Sequence, residues 1–226
     1  MSLSNQVQSE PLKVVTVDSE QAYILRQQTI EFSEDEMVLA LEIDQKLRAA
    51  LAPHLPAAGL AAPQIGIERP IFIYSYDRDP KNLETVINPS FQPIGNEKIE
   101  GWEGCLSVIL SDGVWKLAKI ARYAQIQVNY LNLNGDRIQK ILDGFAAKVF
   151  QHEYDHLQGI VNIDREDAIV KEFSSKEELS NFMQDVKKED AANYKTLLNH
   201  DSHPPFSKRC PIILADGPHG FLHRTR

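Results

Sequence analysis

The chain has 226 residues, 42% of them hydrophobic, with 32 acidic against 24 basic side chains and a net charge of −8. That length suits one domain, or one domain with an appendage, and the apolar fraction is enough for a real core. The acidic balance disfavours a nucleic-acid partner and simple electrostatic docking on an anionic membrane. No apolar run approaches the roughly 20 residues of a membrane span. Glu10, Asp18 and Glu20 near the start, with no apolar stretch, argue against a signal or transit peptide. Two cysteines, Cys105 and Cys210, do not make a disulfide framework and fit a reducing, cytoplasmic setting.

In chain order, residues 1 to about 22 read as loose and polar, with Val14, Val15 and Val17 as anchors and an ordered segment beginning at Leu25. Ser33 or Asp35 caps a predicted helix that runs to Leu51, with Met37, Ala40, Ile43, Leu47 and Leu51 on one broad apolar face. Pro53 and Pro56 end it. The small-residue run Ala57–Gly66 reads as a packed turn before a strand, holding one amide side chain, Gln64. Strands are predicted at Ile71–Tyr76 and at Thr85–Pro89, the second ended by its proline. Cys105 follows in Glu103-Gly104-Cys105-Leu106-Ser107, set between a glycine and a small polar residue in a loop that exposes backbone. It reads as a small hydrophobe, a thiolate metal ligand or a nucleophile. Residues 108 to 122 read as a long connection. Gln125–Tyr130 alternates as a half-buried strand, Asn134-Gly135 marks a hairpin turn, and Arg137–Ile141 returns.

The next segment carries the chemistry. Between Asp143, a predicted N-cap, and Gly159, a predicted C′ glycine, lies Gln151-His152-Glu153-Tyr154-Asp155-His156-Leu157. Residues four apart stack on one helix face, so His152 and His156 reach a single metal ion, and Glu153 stands where it can take a proton from water. The bland alternative is two surface histidines on an amphipathic helix. Residues 160–165 read as a short extended exit. Ser174 or Ser175 caps a last helix to about Leu198, with Phe182, Met183 and Val186 inward. Residues 199–226 form a tail whose His200, His203, His219 and His223 read as solvated. Its Pro211–Leu214 run could join a sheet edge or a partner subunit.

A catalytic metal site needs three protein ligands and an open position. Among many possible third ligands Cys105 is the soft anionic one, and Gln64 is a candidate oxyanion donor. With Gly59–Gln64, Glu103–Ser107 and Gln151–Gly159 in that order, the sequence resembles the peptide deformylases over roughly residues 25–165. The resemblance implies an α+β fold, with small antiparallel sheets around a central helix carrying the HExxH motif and further helices at both ends. It implies a catalytic domain over residues 1–170 and an appendage over 171–226. It implies removal of the formyl group from the N-terminal formylmethionine of nascent chains at the ribosome, with formate released.

By the same resemblance, Cys105, His152 and His156 hold one divalent metal, Fe(II) foremost, with zinc, nickel or cobalt able to replace it. Glu153 is general base and then general acid, and Gln64 with the Leu106 N–H stabilises the oxyanion. Gly59, Ala58, Phe145 and Val149 are expected to bind substrate, with core packing the equal alternative for Phe145. Ser107 is expected to be structural, Gln151 to reach a backbone group beside the site, and Glu103 to pair with Arg122 behind the cysteine. The first glycine of the family's first motif is Ala57 here, and the 108–122 connection is longer than in many members, so peptide specificity is open. A zinc endopeptidase taking Glu166, Glu172 or Glu177 as third ligand, and a non-catalytic binder of formylated N-termini, are the competing readings.

Overall fold

The computed structural model describes residues 12–77 and 79–198. The expectations for the tail beyond residue 198, including its histidines, Cys210 and the Pro211–Leu214 run, lie outside the described residues. In chain order the elements are α1 (Met37–Leu51), β1 (Gly59–Ala61), β2 (Ile71–Ser75), β3 (Leu83–Pro93), β4 (Lys98–Ile109), β5 (Trp115–Tyr123), β6 (Gln125–Leu131), β7 (Arg137–Asp143), α2 (Gly144–Leu157), β8 (Ile169–Phe173) and α3 (Lys176–Leu198). Short 3-10 turns flank α1 and follow β1. Every strand pairing is antiparallel, which makes the fold α+β: one sheet runs β1-β2-β3-β6-β7 and a smaller one β4-β5-β8.

β2 explains why the larger sheet sits where it does. Its five residues are all buried, as expected of a strand covered on both faces. Ile71 and Ile73 join Ile43, Leu47 and Leu51 of α1 in one cluster. Phe72 and Tyr74 join Val149 and Phe150 of α2 in another. Phe150 is the pivot of the second: its ring stands edge-on to Phe72 at 5.1 Å and to Tyr74 at 5.8 Å between centroids. Such aromatic pairs contribute about 0.5–1.5 kcal/mol beyond the area they bury. They fix the helix that carries both histidines against the sheet.

The helix start read from Ser33 is present: Glu36 accepts the Ser33 N–H at 2.9 Å, and a short 3-10 turn leads into α1. β6 alternates in burial as its sequence alternates, and Gly135 turns the β6–β7 hairpin at φ +81.

Four expectations are corrected. β3 does not end at Pro89 but continues to Pro93. Asn88 takes φ +48 inside a register shift between Ile87 and Ser90, so the proline falls where no ladder bond is needed. Cys105 lies on β4, not in a loop. The 108–122 connection is mostly β5, hairpinned to β4 around Gly113 at φ +86. Lys116 and Lys119 hid that strand by breaking its apolar pattern; each is held by a glutamate, Glu172 at 2.6 Å and Glu100 at 2.8 Å. Finally, β8 was not foreseen. Four of its five residues are exposed, so it carries no alternation signal, and it straddles the expected boundary at residue 170.

Candidate active site

α2 brings the site residues to one place because its spacing and its two flanking glycines allow it. Asp143 holds the N-cap position in extended conformation, though its side chain makes no capping bond. Gly159 follows the helix at φ +72, with the Arg26 backbone so near that a Cβ there would sit 2.7 Å from it. Gln151 locks the helix to the end of β5, accepting the Tyr123 N–H at 3.1 Å and donating to the Tyr123 carbonyl at 3.0 Å. His152 and His156 then point to the same side, and both are buried.

β4 supplies the third member. The Cys105, His152 and His156 ligand atoms lie within 4.8 Å of one another, and Cys105 Sγ is 3.3 Å from His156 Nε2. Metal–sulfur and metal–nitrogen bonds of about 2.3 and 2.0–2.1 Å in a tetrahedron put such atoms about 3.5 Å apart. The cluster therefore fits one divalent ion. His152 Nδ1 is taken by Glu103 Oε2 at 2.9 Å; a carboxylate behind a ligating imidazole fixes its tautomer and orientation.

Glu103 is itself clamped. The Arg122 Nε and Nη2 each donate to it at 2.9 Å, the expected pairing in bidentate form. Arg122 Nη1 reaches Asp155 Oδ2 at 2.6 Å, and Arg165 Nη1 reaches the same oxygen at 3.1 Å. Burial opposes the Glu103 charge, but Arg122 outweighs it and holds the carboxyl below the usual range. Burial also opposes charge on His152, yet Cys105 and Glu103 raise its pKa, whereas burial and the charge of His152 drive that of His156 well down. Asp155 was not singled out in the sequence. Its position three residues after His152, on a buried helix, was the available signal.

Glu153 is buried, and burial pushes its pKa up to about 7. Its Oε2 has no hydrogen-bond partner among the described residues. A buried carboxylate oxygen without a partner is costly, and here Glu153 lines the same cleft as Cys105 and His152. Gly59 makes room for it: a Cβ at 59 would lie 2.5 Å from Glu153 Oε1. The sequence expectation for Gly59 was close approach to substrate; its nearest neighbour is the Glu153 carboxylate.

Gln64 is aimed rather than free. Its Oε1 accepts the Ala61 N–H at 2.8 Å, and its Nε2 donates to Ser107 Oγ at 3.2 Å and toward Cys105 Sγ at 3.4 Å. Ser107 therefore orients the amide, a task the sequence did not reveal. The valine anchors of the N-terminal segment meet the same two residues: the Val15 N–H donates to the Gln64 carbonyl at 2.7 Å and the Val17 N–H to the Ser107 carbonyl at 2.9 Å.

Gln64, Cys105, His152 and Glu153 border a cleft lined further by Ala57–Gly59 and by residues of β4 and the start of β5. Leu106, Gln64, Ala58 and Gly59 line it. Phe145 and Val149 are not among its lining residues. Both belong to the cluster of Phe72, Tyr74 and Phe150, Val149 fully buried within it and Phe145 partly buried at its edge. Trp115 lines the cleft and had no part in the sequence reading of the site.

The sequence model of the polypeptide deformylase family matches residues 11–172. Among curated proteins, the chain is 43% identical to peptide deformylase 2 of Rickettsia conorii over 119 residues, covering 47% of this chain and 56% of that one. It is 42% identical to peptide deformylase 2 of Ralstonia nicotianae, covering 46% and 60%. The chain thus spans a little over half the length of these curated relatives. Among solved structures it is similar to the actinonin-bound class I type b peptide deformylase of Acinetobacter baumannii, with a TM-score of 0.60 and 28% identity, covering 70% of this chain and 99% of that one. The peptide deformylase of Thermotoga maritima gives a TM-score of 0.56 at 31% identity, covering 67% and 95%. A family match over most of the described residues, on a fold that sets Cys105, His152 and His156 around one point, means that this chain belongs to the polypeptide deformylase family.

Proposed function

We propose that this chain hydrolyses the formyl group from the N-terminal formylmethionine of polypeptides, with formate and a free amine as products. The observation that carries this is the unpartnered Glu153 Oε2 in the cleft that Cys105 and His152 also line, with His156 buried behind them in the same three-residue cluster. A further support is the similar Acinetobacter baumannii deformylase solved with Met-Ala-Ser bound.

Cys105, His152 and His156 are the residues that would hold the metal, Fe(II) foremost, with zinc, nickel and cobalt also compatible with one thiolate and two imidazoles. When bound, the ion supplies Lewis-acid stabilisation of negative charge. Glu153 takes the proton from the attacking water and returns it to the leaving amine, a role suited to a carboxyl with a pKa near neutrality. Gln64 Nε2 and the Leu106 N–H donate to the formyl oxygen as charge gathers there; each such donor is worth about 3–4 kcal/mol in acyl-transfer sites. Ala58 and Gly59 border the substrate, and Phe145 and Val149 support the methionine slot from beneath.

In this reading α2 is the central helix of the catalytic unit, and the unit runs past the expected boundary at residue 170 to take in β8, which pairs with β5. The place of work is the cytoplasm, on nascent chains at the ribosome. No helix among the described residues is long and apolar enough to cross a membrane.

The test is anaerobic formate release from formyl-Met-Ala-Ser by protein loaded with Fe(II) or Ni(II), beside Glu153→Ala. Rapid release by the parent and a loss of at least about 10²-fold in the variant is the expected result. No release from folded, metal-loaded parent would overturn the reading. Cys105→Ser is expected to abolish release as well, which a site using a downstream glutamate as third ligand would not show.

A further inference from the structure

The cleft runs from Cys105 along β4 toward Ile109, and the cross-strand partner of Ile109 is Trp115. Both residues line the cleft. The indole is held from the other side by the small cluster that docks α3, in which Leu117, Phe173, Leu179 and Met183 are buried. Lys176 Nζ lies 5.6 Å from the centre of its ring. Trp115 is thus a flat apolar wall whose position is fixed by packing, so a ligand that stacks on it meets little loss of side-chain freedom. Lys116 beside it also lines the cleft, but its ammonium is engaged by Glu172 at 2.6 Å. The wall accordingly presents an aromatic surface next to a charge that already has a partner.

We infer that Trp115 is a specificity-determining residue that reads the third residue of the peptide and favours an aromatic or large apolar side chain there. This rests on the proposed deformylase activity for the identity of the ligand. The register follows from strand geometry. A strand rises about 3.4 Å per residue, so Ile109 stands at most about 14 Å from Cys105 along β4, and less across the register shift between Gly104 and Ile109. An extended peptide with its formyl carbon beside Cys105 places the third Cα about 10 Å away, within reach of the indole. The first residue is too near the metal-ligating cluster to touch Trp115. The second points to the opposite face of an extended chain, since side chains alternate.

The test uses the full metal-loaded chain and peptides formyl-Met-Ala-Xaa with Xaa as Gly, Leu, Phe or Glu. Formate release gives kcat/KM, and calorimetry on the unformylated Met-Ala-Xaa peptides gives affinity without turnover. The expected result is a preference for Phe over Gly of about tenfold in both measurements, with Glu no better than Gly. In Trp115→Ala the Phe/Gly ratio falls to within about twofold, and in Trp115→Phe, which keeps a ring in the same cluster, most of it returns. Equal affinity for Phe and Gly in the parent, or a ratio unchanged in Trp115→Ala, would overturn the inference. A Phe preference in affinity with no formate release would uphold it while overturning the proposed reaction.

Discussion

An alanine at position 59 would place its Cβ 2.5 Å from Glu153 Oε1 and 2.9 Å from the Ile73 carbonyl oxygen. The carboxylate can swing away, but the backbone cannot, so Gly59→Ala is expected to displace Glu153, the proposed general base. A loss of about 10²-fold in kcat with KM little changed is the prediction, read from formate release at saturating peptide. On the other side of His152, Arg122→Ala leaves Glu103 buried without its cation. That is expected to cost about 3–5 kcal/mol in denaturant unfolding and about 10–100-fold in metal affinity. Arg122→Lys should recover only part of both, because an ammonium cannot make the two parallel bonds. The histidine pair and Glu153 were legible because helical spacing alone puts His152 and His156 on one side. The closeness of Gly59 to Glu153 and the part of Asp155 were not, because what each touches is set by the packing of distant segments.

The elements divide in the same way. α1 and β6 follow from periodicity, β2 from its apolar run, β7 from the Asn134-Gly135 turn, and α2 from its end signals and histidine spacing. β5 and β8 were hidden because the smaller sheet is half solvent-exposed and its lysines pair across strands instead of alternating with apolar residues. That sheet is held by the cluster around Phe173, so Phe173→Ala is expected to cost about 3–5 kcal/mol and to loosen α3, visible as faster amide exchange in residues 176–186. A second joint lies at the N-terminal segment, where Asp18 accepts from the Ser111 hydroxyl and N–H in the β4–β5 turn. The Ser111 hydroxyl first, then that of Thr16, holds the Asp18 carboxyl below its usual range. A depressed carboxylate adds stability that is complete above its unfolded value of about 3.9 and is lost as pH falls through the lower folded value. Ser111→Ala should therefore move the Asp18 titration up toward the ordinary range, measured by carboxyl NMR shifts.

For the molecule as a whole, the proposed metal at the buried Cys105–His152–His156 cluster would make stability depend on the ion. An ion that binds the folded chain alone adds about 2.7 kcal/mol at 100 times its dissociation constant. For a chain of this size that is about 5–10 °C in the unfolding midpoint. Metal removal is expected to lower the midpoint by that amount, and Cys105→Ser should erase most of the difference between metal-loaded and metal-free protein in a thermal melt.

The two bonds from Val15 and Val17 to Gln64 and Ser107, and the contact of Cys105 with His156, tie positions that are far apart in the chain. The pieces of the site are therefore delivered one at a time during synthesis, and no early portion holds them all. Gln64 waits for β4 to be made, and the cysteine waits for the end of α2. Truncated chains ending before His156 should be unable to chelate metal at the site, while chains extended through β8 should do so. The proposed site thus comes into being only once α2 has been made, and a product stalled or shortened before His156 would carry much of the fold without the complete Cys105–His152–His156 cluster.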